Sequence, residues 1–449
     1  MADTRTDVHH SHPHRVAASD HLDSHPGRQK VYLVLAVLVT VPGLVVRFTG
    51  PDISHPLEAF IFGLAVVGAA FLLAWAAEAA QLDISAGLAI AVLAFIAVLP
   101  EYAVDMVFSW KGGKGFKEFG RACGPAGGSP DSHPCSLALA NMTGSNRLLI
   151  GIGWSLVVFL AWIQWRKRGM VTREIVLERS HSVEVGFLAL ASLYALTLPL
   201  KGSLTLFDAA ILIAIFVAYT WRIAKAPAEE PHLVGPALLI GCLPTARRRL
   251  VVVLMLVFAA AVILASAEHF AEALVATGKS AGIDEFLLVQ WLAPLASEAP
   301  ELLIAGLYAW RLNTGNGLGT LVSSKVNQWT LLVGTLPIVF AISSGTLHGL
   351  PLGSLQRQEL LLTGAQAFFA IAILANLSMN TKETMVLFGL FWAQFVVGAV
   401  VPERLVNLER IGVSAVYLLL GLWLIGRKFP QFRALLRDGF RTPVIELHR

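Results

Sequence analysis

Charge is scarce in this chain. Of its 449 residues 14% are Asp, Glu, Lys or Arg, against 56% hydrophobic. A soluble protein carries about 25% charged residues, so the composition excludes a water-bathed globular surface. It points to an all-α polytopic membrane protein. The net charge of +4 is then a matter of loop topology rather than a nucleic-acid footprint. Enzyme signatures are missing as well: no H-E-x-x-H or G-x-S-x-G motif falls in any apolar span, and neither does a dense His/Asp cluster. No soluble-cofactor or nucleotide-hydrolysis motif is present, so any work done here draws on an ion gradient. The first 30 residues have no apolar run before a cleavage site, and no cleaved signal peptide is expected.

What is present is a series of apolar stretches of spanning length. They fall near 31–48, 57–80, 84–110, 136–162, 183–200, 204–222, 250–276, 282–310, 317–343, 359–378, 382–400 and 409–426, about 12 transmembrane helices. With the N-terminus on one side, the loops of that side hold 22 Lys and Arg against 10 on the other. Both termini are therefore expected in the cytoplasm. The expected organisation is a His-rich tail over 1–30, with His9, His10, His12, His14, His21 and His25, and an extra helix over 31–56. A first repeat over 57–222, a linker over 223–249, a second repeat over 250–402 and an extra helix with a basic tail over 403–449 follow. The His tract can chelate metal loosely or simply be a disordered tail. Cys123 and Cys135 share the loop 111–135 on the expected outer side, where they can form a disulfide or remain two unpaired thiols. Cys242 has no obvious partner.

The repeat rests on two patches. Leu99-Pro100-Glu101 and Ala299-Pro300-Glu301 each place a Pro-Glu pair deep in an apolar stretch, 200 residues apart. The next span of each half holds a small-polar patch, Asn141-Met142-Thr143-Gly144-Ser145-Asn146 and Thr320 to Lys325, with Ser145 and Ser324 179 residues apart. An acid inside a span marks an ion or substrate path by default. The two Pro-Glu helices are the third and eighth spans, an offset of five, so they cross in opposite directions. That predicts two inverted five-helix repeats around a midplane site. Pro100 and Pro300 are expected helix breaks, each freeing a carbonyl one turn earlier. Freed carbonyls beside a carboxylate suit a hard cation.

At these residues the chain resembles the calcium/cation antiporter superfamily, whose membrane region carries two inverted repeats. Each has G-T-S-x-P-E followed in the next helix by G-N-x-x-G-S-N-x-x-[ND]. The resemblance implies Glu101 and Glu301 as central cation-binding carboxylates and Ser145, Ser324 and Ser297 as hydroxyl ligands. Asn141, Asn146 and Gln328 fall on further motif positions. It also implies a divergent member. Ala97 and Val98 replace both hydroxyls of the first motif, Leu149 stands where Asn or Asp is expected, and Gln328 replaces the second.

New charges appear in their place: Asp105 one turn after Glu101, Glu298 within a turn of Glu301, and Arg147 and Lys325 inside the small-polar helices. All are costly facing lipid. The expectation is that they pair in the core as charge compensation, Lys325 with Glu298 or Glu301 and Arg147 with Asp105 or Glu101. Glu78, Glu268, His269 and Glu272 lie near helix ends and read as interfacial. Two functions remain in view. One is a secondary antiporter exchanging Na+, K+ or Ca2+ for protons or sodium, with no metal beyond the transported cation, in the plasma or inner membrane. The other is a non-transporting sensor or scaffold on the same fold.

Overall fold

A computed structural model describes residues 26–83, 99–125, 132–170, 174–226, 233, 235–282, 285–400 and 403–448, with side chains omitted at 398–400 and 403–404. The six tail histidines, Ala97 and Val98 lie outside the described residues. Unit 1 comprises α2 (His55–Ala80), α3 (Leu99–Phe119), α4 (Pro134–Leu148) running through a π segment (Leu149–Trp154) into α5 (Ser155–Lys167), then α6 (Ser182–Ala195) and α7 (Leu206–Ile223). Short α8 (Pro236–Gly241) leads to unit 2. That unit is α9 (Thr245–Ala281), α10 (Glu285–Trp310), α11 (Thr314–Asn327) with a π segment (Gln328–Leu332) and α12 (Val333–Ser344), then α13 (Ser354–Ile373) and α14 (Thr381–Val400). Outside the units lie α1 (Pro26–Thr49), α15 (Glu403–Arg427), α16 (Phe429–Phe440) and α17 (Val444–Leu447).

Nine helices among the described residues are long and apolar enough to cross a membrane. Of the predicted spans, 282–310 is not among them, since Glu285, Glu298 and Glu301 lower the apolar character of α10. The first half of the predicted span 84–110 and the side chains at the end of 382–400 lie outside the described residues. Other boundaries move too. Helix α1 starts five residues inside the expected tail, α8 occupies part of the expected linker, and the expected basic tail folds into α16 and α17. Pro300 does not end its helix, because α10 runs unbroken through Pro294 and Pro300. The irregular backbone lies instead in the two π segments, which begin at Leu149 and Gln328, one residue in each repeat at matching positions. Single π turns inside α-helices are frequent at functional sites.

Two strand pairs display the inverted symmetry. β1 (Glu174–Val176), before α6, pairs antiparallel with β4 (Ser378–Asn380), after α13. β2 (Ser203–Leu204), after α6, pairs with β3 (Leu350–Pro351), before α13. The segment before the fourth helix of each unit thus meets the segment after the fourth helix of the other. Packing follows the same exchange, α3 on α12 and α10 on α5.

Small residues set the closest approaches. A Cβ on Gly144 would sit 1.7 Å from the Gln290 carbonyl, so only glycine lets α4 meet α10 at that point. Helix α4 is buried from Cys135 to Leu148 despite Asn141, Thr143, Ser145, Asn146 and Arg147. Its polar groups therefore face protein, as a bilayer requires. Cys123 and Cys135 are joined, with Cα atoms 6.0 Å apart, tying the end of α3 to the start of α4. Exposed Val34, Leu38, Val253, Leu264, Leu419 and Leu422 give α1, α9 and α15 an apolar outer surface.

At one end of the bundle α16 is clasped to the body. Asp438, 8% exposed, accepts Arg179 Nε at 2.7 Å, Arg437 Nε at 3.1 Å and Thr442 Oγ1 at 2.9 Å. Burial alone would raise this carboxyl, but the bonds from Arg179, Thr442 and Arg437 outweigh it and hold it at about 2. A depressed folded-state value stabilises above the unfolded value near 3.8 and is lost as pH falls toward 2. Arg179 and Arg437 are more than half exposed, so screening reduces the contribution to about 1–2 kcal/mol. Thermal unfolding in detergent is expected to place Asp438→Asn below wild type at neutral pH, with the gap closing between about pH 4 and 2. A gap independent of pH would contradict this.

Candidate cation site

The acids of the two Pro-Glu patches meet inside the bundle. Glu101, in the first described turn of α3, is 1% exposed, and neither of its carboxylate oxygens has a hydrogen-bond partner among the described residues. Ser297, Glu301 and Asp105 are the side chains that act on it. Glu301 accepts Ser324 Oγ at 2.6 Å and lies beside Glu298. Glu298 is fully buried; its Oε1 accepts Ser145 Oγ and Gln328 Nε2, and its Oε2 has no partner among the described residues. Since Ser145 belongs to unit 1, an acid of one unit is held by a hydroxyl of the other. Asp105 Oδ1 accepts Asn141 Nδ2 at 2.7 Å. Among the described residues Asp105 Oδ2, Asn141 Oδ1 and Gln328 Oε1 are buried without partners.

Unpaired buried oxygens are costly to leave unsatisfied, and here they converge. The donor set is carboxylate, amide and hydroxyl oxygen with no sulfur or imidazole, which is the chemistry of hard cations and not of zinc or copper. Ser297 sits among these acids, but its own hydroxyl bonds the Pro294 carbonyl at 3.3 Å.

The positive charges differ from expectation. Lys325, fully buried, does not bond Glu298 or Glu301. Its ammonium donates to the carbonyl and side-chain oxygens of Asn146, at 2.7 and 2.6 Å, and lies 5.1 Å from the Trp329 ring centroid. Glu298 acts on it only through space. Asn146 and Lys325 occupy matching repeat positions, so the inverted symmetry brings them face to face.

Arg147 does not reach Asp105 or Glu101 either. It points to the far side of α4, to Glu359 at 2.5 Å and Gln394, and lies 5.0 Å from the Trp291 ring centroid. Glu359 also accepts Arg410 at 2.8 Å and Gln290 at 2.9 Å. Arg410, at the start of the predicted span 409–426, is 16% exposed and inside α15. Gln290, Glu359 and Gln394 were missed because single polar residues near the ends of apolar spans carry no spacing signal. The mirrored π segments left none at all.

A cavity of about 230 Å³ reaches the site from one end of the bundle. Its lining includes Glu78 and Gln81 at the end of α2, Pro100, Ser297, Glu301 and Tyr308. Toward the other end lies a larger cavity of about 1010 Å³. Its described lining, with Lys111, His133 and Glu272, contains none of Glu101, Asp105, Glu298 or Glu301. Lys111 pairs there with Glu272 at 2.5 Å and Glu268 at 3.6 Å.

Inverted repeats closing on buried, uncompensated carboxylates define a multi-pass membrane cation antiporter. The chain matches the sodium/calcium exchanger protein family over residues 57–225 and 251–425, and it belongs to that family. Among solved structures it is similar to an H+/Ca2+ exchanger, CAX, at 41% identity over 92% of this chain and 98% of that one, with a TM-score of 0.81. Native YfkE is similar at 14% identity over 87% of this chain and all of that one, TM-score 0.57. The selenium-substituted form of the same Ca2+/H+ antiporter gives 0.54. At that identity the likeness is one of fold. No curated protein matches.

Glu359 compensates two guanidinium groups in a buried setting. Glu359→Gln is expected to destabilise the detergent-solubilised protein by about 3–5 kcal/mol, as removing one member of a buried ionic network does. An unfolding midpoint equal to wild type would contradict that reading.

Proposed function

We propose that this chain exchanges Ca2+ for protons, with Glu101 and Glu301 as the central ligands and Glu298, Ser145, Ser324, Gln328, Asn141 and Asp105 completing or orienting the oxygen set. One observation carries the proposal: buried Glu101, Asp105 and Glu298 meet half-buried Glu301, and Lys325, the ammonium on which Glu298 acts through space, bonds to Asn146 instead. Carboxylates so placed cannot all be ionised without a counter-charge. They hold either protons or a cation, and the two occupants exclude one another. Loading a divalent cation releases protons, and its departure allows them to return, which is exchange. The 41% identical H+/Ca2+ exchanger supports this choice of ions.

The Lys and Arg bias of the loops supports cytoplasmic termini in a plasma or inner membrane. The same orientation puts the cavity at Glu301 on the cytoplasmic side, as expected of one state of an alternating-access cycle. Everted vesicles bearing a proton gradient and a pH-sensitive dye test the proposal. Adding Ca2+ is expected to dissipate the gradient, with Glu301→Gln lowering the rate at least about 100-fold. Mutant vesicles matching wild type would contradict the site, and wild-type vesicles inert to every cation would favour the scaffold reading.

A further inference from the structure

Helix α16 carries Phe429, Arg433, Arg437, Phe440 and Arg441 at i, i+4, i+8, i+11 and i+12, which is one helical face. All five are exposed, Phe429 by 57% and Phe440 by 37%. The opposite face is seated on the body. Leu435, Asp438 and Gly439 are buried there, and a Cβ on Gly439 would lie 2.5 Å from the Ser182 carbonyl oxygen of α6. Both ends of the helix are pinned. Lys428, just before it, donates to Glu383 and to the Ile373 carbonyl, each at 2.8 Å. Arg222, in the last turn of α7, donates to the carbonyls of Asp438 and Thr442 at 2.9 and 2.6 Å. The arginine face therefore has a direction fixed by the fold. Asp438, the one acid of α16, lies on the seated side and takes only Nε of Arg437. Glu446 of α17 acts through space on Arg179. Among the described residues Arg433 and Arg441 make no ion pair.

The two helices that hold α16 both end in a tryptophan with a cation against its ring. Trp221 of α7 is 66% exposed, with Lys225 Nζ 3.4 Å from the ring centroid. Trp423 of α15 is 55% exposed, with the Arg427 guanidinium 4.8 Å from the centroid. Such rings at the ends of spans mark the level of the lipid headgroups, and long cations beside them reach outward to that level. Arg222 follows Trp221 and Lys428 follows Arg427, so α16 is held at the same depth. We propose that the outer face of α16 binds anionic phospholipid, its three arginines bonding headgroup phosphates while Phe429 and Phe440 enter the acyl boundary beside them. Arginines at successive i, i+4 positions repel one another, and guanidinium forks match phosphate oxygens. Exposed phenylalanines on that same face favour a lipid over a soluble anion, because only a lipid offers an apolar phase next to the charge. An open cavity of about 780 Å³ runs along the face, lined by Pro430 and by all of these residues except Phe429.

The test titrates the detergent-solubilised full-length protein with phosphatidylglycerol, phosphatidylcholine or soluble glycerol phosphate, and native mass spectrometry counts the bound lipid. Wild type is expected to retain phosphatidylglycerol at least about tenfold more tightly than phosphatidylcholine, less so in high salt. Glycerol phosphate at the same concentration does not displace it. Arg433→Gln/Arg441→Gln is expected to weaken phosphatidylglycerol at least about tenfold and to leave phosphatidylcholine unchanged. Arg433→Lys/Arg441→Lys, which keeps both charges, stays within about threefold of wild type. Phe429→Ser/Phe440→Ser weakens the lipid as well, which a purely ionic site would not show. Equal retention of the two lipids by wild type, or unchanged phosphatidylglycerol binding in the glutamine variant, would overturn the proposal. Displacement by glycerol phosphate would overturn it too, in favour of a soluble anion. The wild-type comparisons decide the matter alone if a variant fails to fold.

Discussion

The structure turns on three buried acids and a half-buried fourth that have no bonded cation among the described residues. Glu101, Asp105, Glu298 and Glu301 are brought together by helices from both units, and at least one oxygen of Glu101, Asp105 and Glu298 has no partner among the described residues. In a low-dielectric interior such a group is costly unless it holds a proton or meets a cation. The small-residue contact at Gly144, the cross-unit bond from Ser145 to Glu298 and the paired π segments all serve to hold oxygens inward at that point.

The fixed positive charges are arranged so as not to satisfy this demand. Lys325 is turned onto Asn146, its counterpart in the other repeat, and Arg147 is turned outward onto Glu359. The Arg147–Glu359–Arg410 network is closed on itself and fastens α15, which lies outside both units, to α4 and, through Gln290, to α10. The repeats are therefore symmetric in backbone and asymmetric in charge. Asp105 and Arg147 belong to unit 1, while Glu298, Lys325 and Glu359 belong to unit 2.

Much of this was legible in the residues. The Pro-Glu duplication and the five-span offset located both units and their opposed directions, because buried charge in an apolar run is rare enough to stand out. Ser145, Ser324 and Gln328 were reachable because they follow the acids by one helix at matched spacing. Charge pairing was not legible. Helical spacing says which residues share a face, but whether Arg147 turns toward Asp105 or toward Glu359, 212 residues away, depends on how α4 sits against α13. Pro300 misled for a related reason: neighbouring helices re-satisfy the backbone groups that a proline frees within a membrane, so α10 continues and the irregularity moves to the π segments.

The most direct measurement is the position of the bound cation. Crystals grown with Ca2+, with anomalous differences collected at long wavelength, are expected to place one ion among Glu101, Glu301 and Glu298 with carboxylate oxygens about 2.3–2.6 Å away, and to lose it in Glu101→Gln. An ion bound elsewhere, with Glu101 and Glu301 retaining no contact to it, would contradict the account.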